Sequence, residues 1–463
     1  MSDELATRVY TLETRISNED ATYFKKHSPV FAKSCRRIWQ DLKHGVNTGS
    51  KYVTKLCQDN NMMKRTVNSA LQFMKGRMNA LKELQKVQIA DKQTEIDTLT
   101  EKIAKIKEEI NSLKEQVVKH PNDKDLLLKY NNKKAKLYSW QVRKNRFEND
   151  IRDYENTDTN NFSLCFGTKS FFRKQYHLKD NNYKTHEKWL NDFRKLRDRQ
   201  VYYIGSSEET CGNQMCQLEH VPETDRFILK TRKEYRYCKP DAKKNDKDNY
   251  IWLDIDFKYK RELLIFALQN ELPLSYTITN KKGKWYIDVA ITMEHEIETD
   301  TANGCVGLDF NNGFISLSET DKYGNLIKTE NILLFSHGTG NRAGSEMSEK
   351  VSKIVRYTKS VNKALCIEDL KFSKKKSTCI KKGKRRYNEM LHLLDYSRYK
   401  QFCTDYCATY GVMLKLVSPA YTSRIGKQKY AGKKKLSVHN AAAYVIARRG
   451  QGFKDEYKKK KAA

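Results

Sequence analysis

The sequence is short of acid, has no paired cysteine knuckles and contains no long apolar run. No stretch approaches the roughly 20 apolar residues of a membrane-spanning helix, and the opening MSDELATRVY lacks a secretory h-region, so a cytoplasmic chain is expected. The 11 cysteines are scattered. Cys211 and Cys216 flank Gly212, Cys403 and Cys407 are spaced i, i+4, and neither pair is a CxxC. A structural zinc site usually shows two close pairs, so zinc is not expected and the thiols read as free in a reducing compartment. The acid deficit is the largest of these shortages. Against 57 Asp and Glu stand 89 Lys and Arg, a formal charge of +32 over 463 residues. Such an excess repels itself unless a polyanion is present, and nucleic acid rewards scattered cations over a large surface.

The chain is long enough for two or three domains. Residues 8–16, RVYTLETRI, alternate like a strand, and VFAKSCRRIWQDLKHG then turns to helical period. The following MKRTVNSALQFMKGRMNALKELQKVQ reads as a basic helix, with Lys64, Arg65, Lys75 and Arg77 on a broad face suited to phosphate. From Ile96 the apolar residues Leu99, Ile103, Ile106, Ile110, Leu113 and Val117 form a heptad seam. His120-Pro121-Asn122-Asp123 stops it, and the stretch from Leu126 to Phe147 is expected to fold back as an antiparallel hairpin rather than pair with a second chain. Between about 200 and 300 the period returns to two in FILKTRKEYRY, YIWLDIDFKY, PLSYTIT and KWYIDVAITM. Asn280-Lys281-Lys282-Gly283 fits a hairpin turn, and a small sheet or barrel joined by the amino-terminal strand is expected.

The last third carries the chemistry. CVGLDF places Asp309 inside an apolar strand, where an ionised carboxylate costs several kcal/mol unless it is paired or binds a metal. FISLSET and LIKTENILL complete a meander, and an amphipathic helix, the strand ALCIEDL, a long helix over 385–409, the strand GVMLKLV and a helix over HNAAAYVIARR follow. The order βββαβαβα is that of an RNase H-like fold, which sets the first strand beside the strand after the helix and so brings Asp309 near Glu368. Taken alone, Asp309 at a strand end reads as a turn cap. A second isolated acid at the matching place favours a pair of carboxylates holding Mg²⁺ (or Mn²⁺) for phosphodiester hydrolysis.

The segments VGLDFNNGFISLSETDKYGN, ALCIEDLKFSKKK, VSPAYTSRIGKQKYAGKKKLSVHNAAAYVIARRG and CFGTKSFFRKQYHL resemble TnpB-related proteins, the transposon-encoded relatives of type V CRISPR effectors. The resemblance implies a multidomain α+β chain. A wedge-like β-barrel would span 1–20 and 200–300, a helical recognition lobe with a coiled-coil hairpin 21–165, a connecting segment 166–199, a RuvC-like nuclease domain 302–455 and a basic tail 456–463. It also implies an RNA-guided DNA endonuclease whose partners are a guide RNA and target double-stranded DNA, with base pairing supplying specificity. Asp309 and Glu368 match the first two catalytic positions.

Two departures stand out. The zinc knuckles of the family are missing, and in their place AYTSRIGKQKY, with Tyr421, Arg424, Lys427 and Lys429, is expected to form a loop that guides single-stranded DNA. The third acid, expected just before Asn440-Ala441-Ala442, is also missing, and His439 stands there as the candidate third metal ligand and catalytic residue. Retention of both acids favours a nuclease. Loss of the third favours a nuclease-inactive, RNA-guided repressor. A plain RNA-binding protein accounts for the charge but not for the acids.

Overall fold

The computed structural model describes residues 5–156, 162–209, 212–239, 246–335, 340–370 and 396–456. Cys211, Cys379, the 385–395 start of the expected long helix and residues 457–463 of the basic tail lie outside the described residues. The chain divides into two compact units, Val9–Thr292 and Met1–Arg8 with Met293–Ala463. Among the described residues no helix is long and apolar enough to cross a membrane.

In the Val9–Thr292 unit, the greater part of strand β1 (Leu5–Ile16) leads into α1 (Thr22–Lys43), α2 (Ser50–Asn60), α3 (Lys64–Lys119), α4 (Lys124–Glu155), the short α5 (Lys169–Arg173) and α6 (His186–Arg197). Helix α3 runs 56 residues because it contains no proline and a single glycine, Gly76. It ends at the turn before Pro121, where Asp123 caps α4 by accepting from the Leu126 amide. The two helices are antiparallel: Lys92 pairs with Asp150, Glu95 with Arg143 and Glu109 with Lys133. Ile96 and Leu99 pack on Phe147 and Ile151 between them. Ile106 and Ile110 of the expected seam are buried, whereas Ile103, Leu113 and Val117 are half-buried.

The same unit holds β2 (Gln200–Tyr203), β3 (Cys216–Val221), β4 (Arg226–Arg232), β5 (Tyr250–Ile255), α7 (Arg261–Gln269), β6 (Leu274–Lys281) and β7 (Lys284–Glu296) as far as Thr292. They form two separate sheets, β1-β7-β6-β2 and β3-β4-β5, so the amino-terminal strand does join the later ones. The β6–β7 turn falls where Asn280–Gly283 predicts it. Lys282 and Gly283 both take positive φ, 53° and 82°, the two-residue turn whose twist suits a hairpin.

In the second unit β8 (Cys305–Asn311), β9 (Phe314–Thr320), β10 (Leu326–Leu333), α8 (Asn341–Ser360), β11 (Ala364–Glu368), α9 (Tyr396–Tyr410), β12 (Leu414–Val417) and α10 (Val438–Gly450) follow in the expected order. The sheet order is β10-β9-β8-β11-β12, with β8–β9–β10 antiparallel and β8, β11 and β12 parallel. This is the RNase H-like strand order expected from the sequence. Strand period sorts its two faces. Val306, Leu308, Leu365 and Ile367 meet Val351 and Val355 of α8 and Tyr399, Cys403 and Cys407 of α9. Cys305, Ala364 and Cys366 meet Ile446 and Ala447 of α10. Cys403 and Cys407 are thus core residues; burial pushes the Cys403 thiol up to about 12, which suits a small hydrophobe rather than a metal ligand.

Candidate metal and nucleic-acid site

Small residues bring α10 onto the sheet. At Gly307 a Cβ would run into the Ala443 carbonyl and the Ala447 amide, and at Gly450 into the Cys366 sulfur. The buried run Ala441-Ala442-Ala443 completes the close approach. Helix and strand run in opposite directions, because Cys305 packs near Gly450 and Gly307 near Ala443. The first turn of α10 therefore lies over the far end of β8, where Asp309 is. Ser437 caps that turn, its hydroxyl accepting from the Asn440 amide at 3.0 Å.

Asp309 is 9% exposed and has partners. Its Oδ2 accepts from the Asn311 side-chain amide at 3.0 Å and lies 3.2 Å from His439 Nδ1. The hydrogen bond to Asp309 holds the His439 imidazole above its ordinary pKa, against the opposing pull of partial burial. Phe314 braces the imidazole edge-on, with ring centres 5.2 Å apart.

Glu368 ends β11. The parallel pairing of Ile367 with Leu308, continued by one residue, sets Glu368 beside Asp309 on the α10 face of the sheet. Its carboxylate accepts a hydrogen bond from the hydroxyl of Thr422, which is only 3% exposed. The segment holding Thr422 is fastened to α10: Arg449 donates to the Ser418 and Ala420 carbonyls, and Gly426 lies against the Ala441 backbone with no room for a side chain. Tyr421, just before it, sits in the left-handed region at φ 61°, a conformation that costs a non-glycine residue about 1 kcal/mol or more and tends to occur at functional sites.

The structure thus brings Asp309 and His439 into contact and sets Glu368 on the adjacent strand. Among the described residues no three His, Cys, Asp or Glu side chains are gathered as a ready metal-binding group. The donor set is nevertheless of the right chemistry, since carboxylate oxygens suit Mg²⁺ and an added imidazole shifts preference toward Mn²⁺.

Other expected contacts are placed differently. The segment from Thr422 is not a loop; Thr422–Ile425 is one α-turn running into a π-turn, Gly426–Ala431. Lys429 pairs with Asp455 at 3.3 Å, and the Tyr430 hydroxyl donates to the same carboxylate at 2.7 Å, so both are tied into the fold. Tyr421 is 52% exposed with the Arg424 guanidinium 5.7 Å from its ring centre, and Lys427 is exposed. In the other unit, Lys64, Arg65, Lys75 and Arg77 all lie on α3, but Arg65 is held by Glu209 at 2.7 Å and Arg77 lies over Phe73 at 5.2 Å. Thr422 escapes sequence reading, because nothing in YTS separates it from Ser423.

No protein-family model matches the chain, and no curated protein matches it. Among solved structures, a Cas12f1–sgRNA–target DNA complex aligns with 95% of this chain and 99% of its own at 11% identity and a TM-score of 0.38. A CRISPR–Cas12f ternary complex covers 95% and 98% at 12% identity, with a TM-score of 0.21. T. thermophilus RuvC bound to a Holliday junction covers 31% of this chain and 89% of its own at 15% identity, with a TM-score of 0.22.

Proposed function

We propose that the chain is an RNA-guided DNA endonuclease of the TnpB type. The observation that carries this is the placement of two acids, Asp309 and Glu368, side by side on adjacent parallel strands and on one face, with His439 in contact with the first. The motif resemblance and the +32 charge add the nucleic-acid partners, a guide RNA and target DNA.

Asp309, Glu368 and His439 would hold Mg²⁺ or Mn²⁺, which when bound polarises a scissile phosphate and lowers the pKa of the attacking water. Asn311 orients the Asp309 carboxylate and Thr422 that of Glu368, so both acids present fixed oxygens. His439 carries a proton at low pH and pairs with Asp309; once neutral it offers a ring nitrogen as donor.

The test is cleavage and binding measured side by side with the co-purified RNA and a matched plasmid. Asp309→Ala and Glu368→Ala should each lower cleavage at least about 100-fold while guided binding persists, since removing a ligand takes charge from the phosphate rather than from the cationic surfaces. Unchanged cleavage in either variant removes the nuclease assignment. The absence of a third acid favours a second reading, a binding-only form. His439→Ala and His439→Asp, assayed in both metals, decide between them: Mn²⁺-dependent cleavage by the natural protein that is lost with alanine supports the nuclease, and cleavage gained only with aspartate supports the repressor.

A further inference from the structure

Helices α1 and α6 and the β6–β7 turn, all within the Val9–Thr292 unit, enclose a cleft of about 820 Å³. Its lining has two characters. Pro29, Phe171, Leu196 and the largely buried Trp285 give an apolar, partly aromatic floor. Lys25, Arg194, Arg199 and Lys282 give a cationic rim. The two carboxylates in the wall are already committed: Asp192 to Lys195 at 3.0 Å, and Asp198 to Arg36 at 2.5 Å and Arg197 at 2.9 Å. Among the described residues, none of the four rim cations has a carboxylate within ion-pairing distance. Four unneutralised charges around one concavity repel one another, and an anion bound there relieves that repulsion.

We propose that this cleft binds unpaired nucleotides of an RNA strand, with a base against the half-buried Phe171 and phosphates at the rim. The volume falls in the range of ordinary ligand sites, about 300 to 1,000 Å³, enough for a short run of nucleotides. Aromatic floors accept any base by stacking, and cationic rims track the backbone. Asn18 and the side-chain NH₂ of Asn280, whose oxygen already accepts from the Gly283 amide at 2.9 Å, also line the cleft. These neutral hydrogen-bonding groups suit a 2′-hydroxyl and favour RNA over DNA. The inference rests on the RNA partner proposed above, but not on the nuclease site.

The experiment is equilibrium binding of a fluorescein-labelled, unstructured 12-nucleotide RNA and the DNA of the same sequence, between about 50 and 300 mM NaCl. Three variants of the full chain are compared with the natural protein. Lys25→Gln, Arg194→Gln, Arg199→Gln and Lys282→Gln together empty the rim. Lys105→Gln, Lys107→Gln, Lys124→Gln and Lys129→Gln remove the same charge from exposed positions on the α3–α4 hairpin. Phe171→Leu removes the aromatic floor without altering charge. The rim variant should bind RNA at least about 10-fold more weakly near 100 mM salt, with a log–log slope shallower by about 3, four phosphates at roughly 0.7 each. The hairpin variant should stay near the natural protein, and Phe171→Leu should weaken binding with the slope unchanged. Equal losses in the rim and hairpin variants, no loss in the rim variant, or tighter binding of DNA than of RNA overturns the cleft assignment and leaves the RNA partner standing. Absence of RNA binding by the natural protein overturns both.

Discussion

Asp309 survives near-complete burial because Asn311 and His439 engage one of its oxygens, and Thr422 does the same for Glu368. If Glu368 holds a metal as proposed, the Thr422 hydroxyl positions its carboxylate, and the loss of that hydroxyl should be felt through the metal rather than through the fold. Thr422→Val should weaken Mn²⁺ binding, measured by calorimetry, about 10-fold, whereas Thr422→Ser should restore it. Equal affinity in both variants would remove Thr422 from this role. A different buried pair sets a pH dependence in the other unit. Glu234 and His27 are both 0% exposed and 3.7 Å apart, and Glu234 accepts from the Met63 amide and the Thr66 hydroxyl at the start of α3. Burial pushes the Glu234 carboxyl up to about 7 and the His27 imidazole down to about 3. Because the folded chain keeps the Glu234 proton above its ordinary 4.5, that stabilisation is complete at low pH and is lost as pH rises toward about 7. His27 acts oppositely, adding stability as pH rises from about 3 to 6.5. Glu234→Gln should therefore gain stability relative to the natural protein by up to about 1 kcal/mol per pH unit between pH 5 and 7 in urea unfolding. A difference that does not change with pH would mean that Glu234 is ionised in the folded chain.

At the scale of elements, the site depends on how closely α10 can lie on β8. Gly307→Ala would drive a methyl group into the Ala443 carbonyl, so we expect a loss of about 1–3 kcal/mol and, in proton spectra, release of the His439 imidazole from Asp309. Unchanged stability would show that α10 has room to shift. This contact also marks where sequence reading stops. Period-two runs and the order of strands and helices were legible around Asp309 and Glu368, since one buried face and one register follow from alternation. The β6–β7 turn and the α3–α4 hairpin were legible for the same local reasons. The short strands β2 and β3 and helix α7 were not, because four to nine residues carry too little period to stand out. The Thr422 segment was misread as a loop, because its lysines and glycines look like a solvated connection. What makes it helical is tertiary: Arg449 holding two carbonyls and Gly426 resting on α10.

Over the whole chain the dominant quantity is the formal charge of +32, which no fold can neutralise from within with 57 acids against 89 bases. Most ion pairs that do form are at least partly exposed and contribute roughly 0–1 kcal/mol each, too little to offset the mutual repulsion of the remainder. The free chain is therefore held below its best stability by its own field, and a bound polyanion should relieve it in proportion to the phosphates engaged. This gives a test whose sign reverses with the partner. Raising NaCl from about 50 to 300 mM, which shortens the Debye length from roughly 14 to 6 Å, should raise the melting temperature of the free protein by screening self-repulsion. With saturating RNA present at the lower salt, the melting temperature should start higher and fall over the same range, because each phosphate contact releases counterions and weakens as salt rises. A free protein whose melting temperature falls with salt would mean that its surface charges are arranged in net attraction. A complex whose melting temperature rises in parallel with the free protein would mean that the RNA is not held by its phosphates, and the reading of the +32 charge as a nucleic-acid surface would be lost.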